Sequence, residues 1–419
     1  MHVPQDQPPG AVPHRRSDPP TPPPPHPEQA SPWASPDHGR EPRWAPPEHG
    51  QPPEHEQEPR WAPPDYGQPP QWPAPHPGQA PHPGQTPSPG QAPHPGPVQQ
   101  WPAPPHGQPP QWPAPAPEPW VAPAPPGSRY DHLARTRLHA WWRPVLGTFL
   151  GFAGLIVAGL VVVIAGMAVA TVAGVEIDGS GGRIFADPVL DLAVNLLAIA
   201  VVLPVVYGLA VWIQRRPPGT LSSVAGRLRW RWMAVCTGVA LLAMVLGQIA
   251  VAVAYAVSGE DLGDLFGWVG WDRFLPVLIV TVLLVPFQAA AEEYAFRGWV
   301  LQAFGSFFRT PWPGILLGAA GFTALHAYID WGILDVFAFG ALMGWLAVRT
   351  GGLEAPIALH VVNNVLAFGI SGADGSLEQA LKQGSVPWQN LAGTVVQLGL
   401  FGVAVVLLAR RRRIATVSP

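Results

Sequence analysis

The chain has 419 residues, a formal net charge of −3 and a single cysteine. The near-balanced charge gives the molecule as a whole no polycationic surface, which argues against nucleic acid as a partner. The lone Cys236 excludes an intrachain disulfide and any Cys-based metal site, and its apolar neighbours mark it as a small buried side chain.

Composition changes abruptly near residue 128. Residues 1–127 are rich in Pro, Gln, His, Gly and Trp and repeat themselves loosely, as in Glu41-Pro-Arg-Trp44 and Glu58-Pro-Arg-Trp61, then Gln71-Trp72, Gln100-Trp101 and Gln111-Trp112. Proline at this density removes amide donors and fixes φ, and aliphatic residues are too few to build a core. A disordered, polyproline-like tail is therefore expected over 1–127. Its functional reading is a ligand for a polyproline-binding partner; its simpler reading is a spacer.

Met1 to Gly10 contains no apolar stretch of the kind that opens a secretory signal. The first apolar segment, near Val145, is expected to act as an uncleaved anchor, with Arg129, Arg135, Arg137 and Arg143 holding the tail in the cytoplasm. From there residues 128–419 carry eight apolar segments, at 145–174, 192–213, 233–257, 274–300, 313–329, 331–348, 355–370 and 391–409. Most approach the about 20 residues that cross a hydrocarbon core, and in lipid an unbroken backbone must satisfy its own hydrogen bonds as helix. The expected fold is all-α, a polytopic membrane helix bundle of about eight transmembrane helices.

Loop charges agree with that count. Arg215, Arg216, Arg227, Arg229, Arg231, Arg297, Arg309, Arg349 and Arg410 to Arg413 are read as falling in alternate loops. The intervening loops are read as carrying Glu176, Asp178, Asp187, Asp191, Glu260, Asp261, Asp264, Asp272, Asp330, Asp374 and Glu378. By the positive-inside rule both termini are then cytoplasmic. Arginine greatly outnumbers lysine, Lys382 being the only one, which suggests a GC-rich bacterial genome and a bacterial cytoplasmic membrane.

Three of the later apolar segments carry polar clusters: Glu292-Glu293-Tyr-Ala-Phe-Arg297, Phe322-Thr-Ala-Leu-His326 and His360-Val-Val-Asn363-Asn364. Ionisable groups at membrane depth cost kilocalories each and survive where function or internal pairing requires them. Glu293 and Arg297, four apart, share a helix face and form an expected ion pair. Glu292 is left as the less compensated carboxylate and so is a candidate general base. His360 and Asn364 share another face, and imidazole and carboxamide donors suit a tetrahedral oxyanion. The chemistry implied is attack of water on an amide. One geometric difficulty stands: counted along a regular helix from Pro313, His326 lies about 20 Å further on, away from the depth of Glu292 and His360. A tilted fifth helix, or a re-entrant connection over Phe304 to Pro313, would reconcile them.

At these residues the chain resembles the CPBP family of membrane proteases, which includes the type II CAAX prenyl endopeptidases and the Abi proteins. The family pattern Glu-Glu-x-x-x-Arg, Phe-x-x-x-His, His-x-x-x-Asn is matched in order over a core at about 275–370. The resemblance implies an intramembrane endopeptidase acting on membrane-associated or lipidated protein substrates in the bilayer. It makes Glu292 the catalytic carboxylate, acting with His326 on water, His360 and Asn364 the oxyanion donors, and Glu293, Arg297 and Phe322 supporting residues. A metal is not required by this reading; if zinc were used, Glu292, His326 and His360 would be its ligands. The competing readings are a non-catalytic binding or immunity protein of the same fold and a proton-coupled transporter, though no internal repeat of the kind transporters carry is visible.

Overall fold

In the computed structural model, residues 119–177, 183–260 and 267–419 are described. Residues 1–118 of the expected tail lie outside the described residues, as do Asp178, Asp261 and Asp264. The rest is a helix bundle. Its elements are α1 (Trp142–Ala173), α2 (Pro188–Ala200), α3 (Val202–Trp212), α4 (Trp230–Ser258), α5 (Trp271–Glu293), a π-helical stretch (Tyr294–Val300), α6 (Leu301–Gly305), α7 (Trp312–Ala324), β1 (Tyr328–Asp330), α8 (Trp331–Thr350), α9 (Glu354–Asp374), α10 (Leu377–Lys382), β2 (Gly384–Val386) and α11 (Gln389–Arg411). The two strands pair in parallel, Tyr328 opposite Gly384.

Seven helical stretches are long and apolar enough to cross a membrane, with α2–α3 forming one and α5 through α6 another. The chain is an integral membrane protein. Its outer surface carries the large apolar side chains that lipid would cover, as on α1, where Phe149, Val157, Leu160 and Val161 are exposed. The helices end where glycine supplies a left-handed turn, Gly174 after α1 and Gly351 after α8. Within the bundle α4 and α11 approach at Gly247 and Gly393, where an added Cβ on either would meet the other's carbonyl oxygen at 3.1 and 3.0 Å. Small residues permit this close backbone contact, the main source of helix association where no water is excluded.

The fifth apolar segment is the short one. Helix α7 has 13 residues, a rise of about 20 Å against a hydrocarbon core of about 30 Å. Chain connectivity nevertheless makes it a crossing. Gly127 N–H donates to the Ser418 carbonyl and Ser418 N–H to that of Ser128, so the chain before α1 and the chain after α11 meet at one end of the bundle. The α3–α4 and α8–α9 connections join them there through the Ser223–Gly352 bridge. At the opposite end Val269 N–H donates to Ala373 O and β1 pairs with β2. Seven crossings would separate the two chain ends; eight, with α7 included, bring them together.

The end where they meet is dense with arginine. Arg229 makes a two-pronged ion pair with Glu354, Nε to Oε1 at 2.7 Å and Nη2 to Oε2 at 2.6 Å, and also donates to the Thr350 and Ala415 carbonyls. Arg216 is fully buried among Gln214, Thr220 and Gln302, and burial pushes its pKa down to about 10. Residues 119–127, assigned by composition to the tail, belong structurally to this end: Ala122 is buried, its N–H bonds to the Arg215 carbonyl, and Arg215 returns a bond to Trp120 O. Proline-rich sequence does not prevent docking where amides such as those of Ala122 and Gly127 find a carbonyl.

Candidate active site

Glu292 and Glu293 close α5, and the π-helical stretch begins at the next residue. A π turn widens the helix by one residue and is found mostly at functional sites. Arg297 lies within it, its Nη1 donating to Glu293 Oε1 at 3.0 Å, with Glu293 fully buried and Arg297 nearly so. The expected pair is present. Its guanidinium lies 4.4 Å over the Phe322 ring, and Gly340 leaves room for Nη2, which an added Cβ there would meet at 3.3 Å. Phe322 thus covers a buried cation with a π face, which gives that aromatic a physical task.

Glu293 has a second partner on α9. His360 Nδ1 lies 2.8 Å from the same Oε1, and on the other side of the ring Nε2 lies 3.3 Å from Glu292 Oε2. The second contact is a close approach without the alignment of a hydrogen bond, and Oε2 has no hydrogen-bond partner among the described residues. Two contacts extend the sequence reading: Glu293 holds His360 as well as Arg297, and Glu292, the less compensated carboxylate, has an imidazole beside it. The Phe339 and Phe322 rings meet His360 edge-on at 5.3 and 5.9 Å and fix its plane.

His326 follows the end of α7, in a turn after Leu325. Its Nδ1 is 2.8 Å from the Phe322 carbonyl, one turn back, so Nδ1–H donates there and Nε2 remains open. The ring packs 4.5 Å from Phe322 and stacks on Tyr328. The depth difficulty is resolved on the Glu292 side. Helix α5 continues through the π-helical stretch and α6 to Gly305, so Glu292 lies 13 residues from that end and His326 lies 14 residues along from Trp312, which puts the two at similar depth. After His326 the chain continues as β1, paired to a strand 56 residues later by the Tyr328–Gly384 register.

A cavity of about 730 Å³ opens between these elements, and Glu292, His326, His360 and Asn364 all line it. Among the described residues no hydrogen bond joins Glu292 to His326; what they share is the cavity. Asn364 donates from Nδ2 to Gln288 Oε1 at 3.0 Å. Gln288, buried and one turn before Glu292 on α5, is a site residue the sequence reading missed. Its signal was available: a polar side chain at i−4 from the candidate base, on the same face of an apolar helix. Asn363 also lines the cavity, accepting from Gln397 of α11 at 3.5 Å.

Among the described residues no three His, Cys, Asp or Glu side chains are grouped to hold a metal ion. Glu292, His326 and His360 are thus not drawn together as a ligand set, although the Phe322 carbonyl and Glu293 hold the two Nδ1 atoms and leave Nε2 of both rings available.

Residues 271–366 match the model of the family described as Type II CAAX prenyl endopeptidase Rce1-like. The match covers 96 of the 419 residues and is a similarity at the level of one domain, in agreement with the CPBP resemblance. That domain runs from the start of α5 to just past Asn364 and holds every residue of the three polar clusters, together with Gln288. The chain is 27% identical over 189 residues to "Uncharacterized protein YyaK" of Bacillus subtilis (strain 168), an overlap of 43% of this chain and 62% of that protein. It is 28% identical over 134 residues to "Uncharacterized 24.3 kDa protein" of Escherichia coli, covering 31% and 60% respectively. The chain thus spans about three fifths of the length of these curated relatives. No solved structure matches.

Proposed function

We propose that the protein is an intramembrane endopeptidase in which Glu292 activates water for attack on a peptide bond of a membrane-associated or lipidated protein. The observation that carries this reading is the chain of contacts from Arg297 through Glu293 and His360 to Glu292, ending at a carboxylate oxygen with no aligned donor in a cavity. A carboxylate so placed can accept the proton of a water bound between it and the open Nε2 of His326. Glu293, beside Arg297, keeps a proton on His360 Nδ1 and so sets which form of the ring faces the cavity. Neutral His360 offers Nε2 as an acceptor; protonated, it offers an N–H to a developing oxyanion, and the remaining Nδ2 proton of Asn364 adds a second donor. Proton transfer from Glu292 to the leaving amine completes hydrolysis, so no atom beyond water and the peptide is consumed. No step is routed through a metal.

We assign the arginine-rich end, and with it both termini, to the cytoplasm by the positive-inside rule, and the excess of arginine over lysine supports a bacterial membrane. The experiment is a proteolysis screen of membrane peptides in liposomes, read by mass spectrometry, with the parent beside Glu292→Gln. New peptide termini with the parent alone support the reading. Equal product from both removes Glu292 from the reaction.

A further inference from the structure

Three carboxylates line the cavity: Asp191, Glu292 and Asp335. Asp191 is engaged, accepting main-chain bonds from Ile184 and Phe185 and a side-chain bond from Asn195. Glu292 is the candidate base. Asp335, on α8, accepts one bond, from Thr394 of α11 at 2.7 Å to Oδ1. Its Oδ2 has no protein partner among the described residues, and no lysine or arginine lines the cavity. A carboxylate on a membrane-spanning helix without a cation carries a desolvation cost that an incoming positive charge would offset.

Its position ties it to the reaction centre. Asp335 and Phe339 are one helical turn apart on α8, and the Phe339 ring is 5.3 Å from His360. Asp335, Phe339, His360 and Glu292 thus line one cavity. Resting on the endopeptidase reading above, we propose that Asp335 is a specificity-determining residue that pairs with a lysine or arginine side chain of the substrate close to the bond that is cut. The occupant of this part of the cavity is thus a basic peptide segment, and the ion pair supplies discrimination rather than chemistry. Fixing that side chain also sets which carbonyl faces Glu292.

The test uses the full-length protein in liposomes and a peptide series in which Lys, Gln or Glu is moved through the four positions on each side of the cleaved bond. The parent is expected to favour Lys over Gln at one position by about ten- to a hundredfold in kcat/KM, the range of a desolvated charge-assisted bond. Asp335→Asn, which keeps an acceptor for Thr394, is expected to bring that ratio close to one, and Asp335→Lys to favour Glu. A parent ratio near one at every position, or a preference retained by Asp335→Asn, overturns the proposal. Should the parent cut none of the peptides, the endopeptidase reading fails separately, and the Lys-to-Gln ratio of peptide Kd on Glu292→Gln still decides the role of Asp335. If Asp335→Asn does not fold, the parent's own position-dependent ratio decides it.

Discussion

Two glutamates, the fully buried Glu354 at the arginine-rich end and the partly buried Glu292 in the cavity, show what separates a structural charge from a working one. Glu354 accepts from the Arg229 main-chain N–H and from two guanidinium nitrogens, and Arg229 spends its remaining donors on the Thr350 and Ala415 carbonyls. Every nitrogen of that guanidinium has a protein acceptor. Around Glu292 the opposite holds: Glu292 Oε2, Glu293 Oε2 and Arg297 Nη2 are buried without hydrogen-bond partners among the described residues. Such groups carry a free-energy cost, and it persists where a substrate or water is to be bound. Saturation of partners, rather than burial, is the useful criterion.

The comparison can be broken by substitution. The largest effect among the supporting residues is expected for Glu293→Gln, which belongs to both classes. It leaves Arg297 buried without a carboxylate, a loss of about 3–5 kcal/mol by analogy with other broken buried pairs, and it frees His360 to turn. Both thermal stability in detergent and turnover per folded molecule are expected to fall; a variant that lost stability alone would make His360 independent of Glu293. Asn364→Ala is expected next, lowering kcat by about a hundredfold with KM little changed, because an oxyanion donor acts in the transition state. Gln288→Ala removes only the partner that orients Asn364, so about a tenfold loss of kcat is expected, and an effect as large as that of Asn364→Ala would place Gln288 in direct contact with the substrate. Chelation is expected to leave the rate unchanged, with zinc add-back as the control, since the donors are not grouped as ligands. The smallest effect is expected from removing residues 1–118, which should leave cleavage of a freely diffusing peptide intact. Cutting instead at 127 removes the bonds of Ala122 and Gly127 to Arg215 and Ser418, so a measurable drop in melting temperature should separate the two truncations.

Much of this molecule is visible in the order of its residues, for local reasons. Apolar runs in lipid become helices, and the i,i+4 spacing of Glu293 and Arg297 yields the ion pair that is found. The family resemblance likewise rests on short spacings, and the match over 271–366 agrees with it. What was hidden depends on partners distant in sequence. The contact between His360 and Glu293 spans 67 residues, and no periodicity encodes it. The continuation of α5 through the π-helical stretch and α6 to Gly305 sets the depth of Glu292, and an apolar run counted only to 300 does not show it. Composition placed the tail boundary at 127, whereas Trp120 and Ala122 already bond to the folded end, because hydrogen bonding to Arg215 and Ser418 is a property of that end rather than of proline content.

The most direct measurement pairs Glu292→Gln with Glu354→Gln, recording for each the melting temperature and the turnover per folded molecule in the same liposomes. The account predicts opposite outcomes. Glu292→Gln should fold like the parent and lose about 10²- to 10⁴-fold in turnover, the range of a lost general base. Glu354→Gln should melt earlier and, while folded, turn over like the parent. Retained turnover in Glu292→Gln, with folding intact, would contradict the assignment of this cavity as a hydrolytic site.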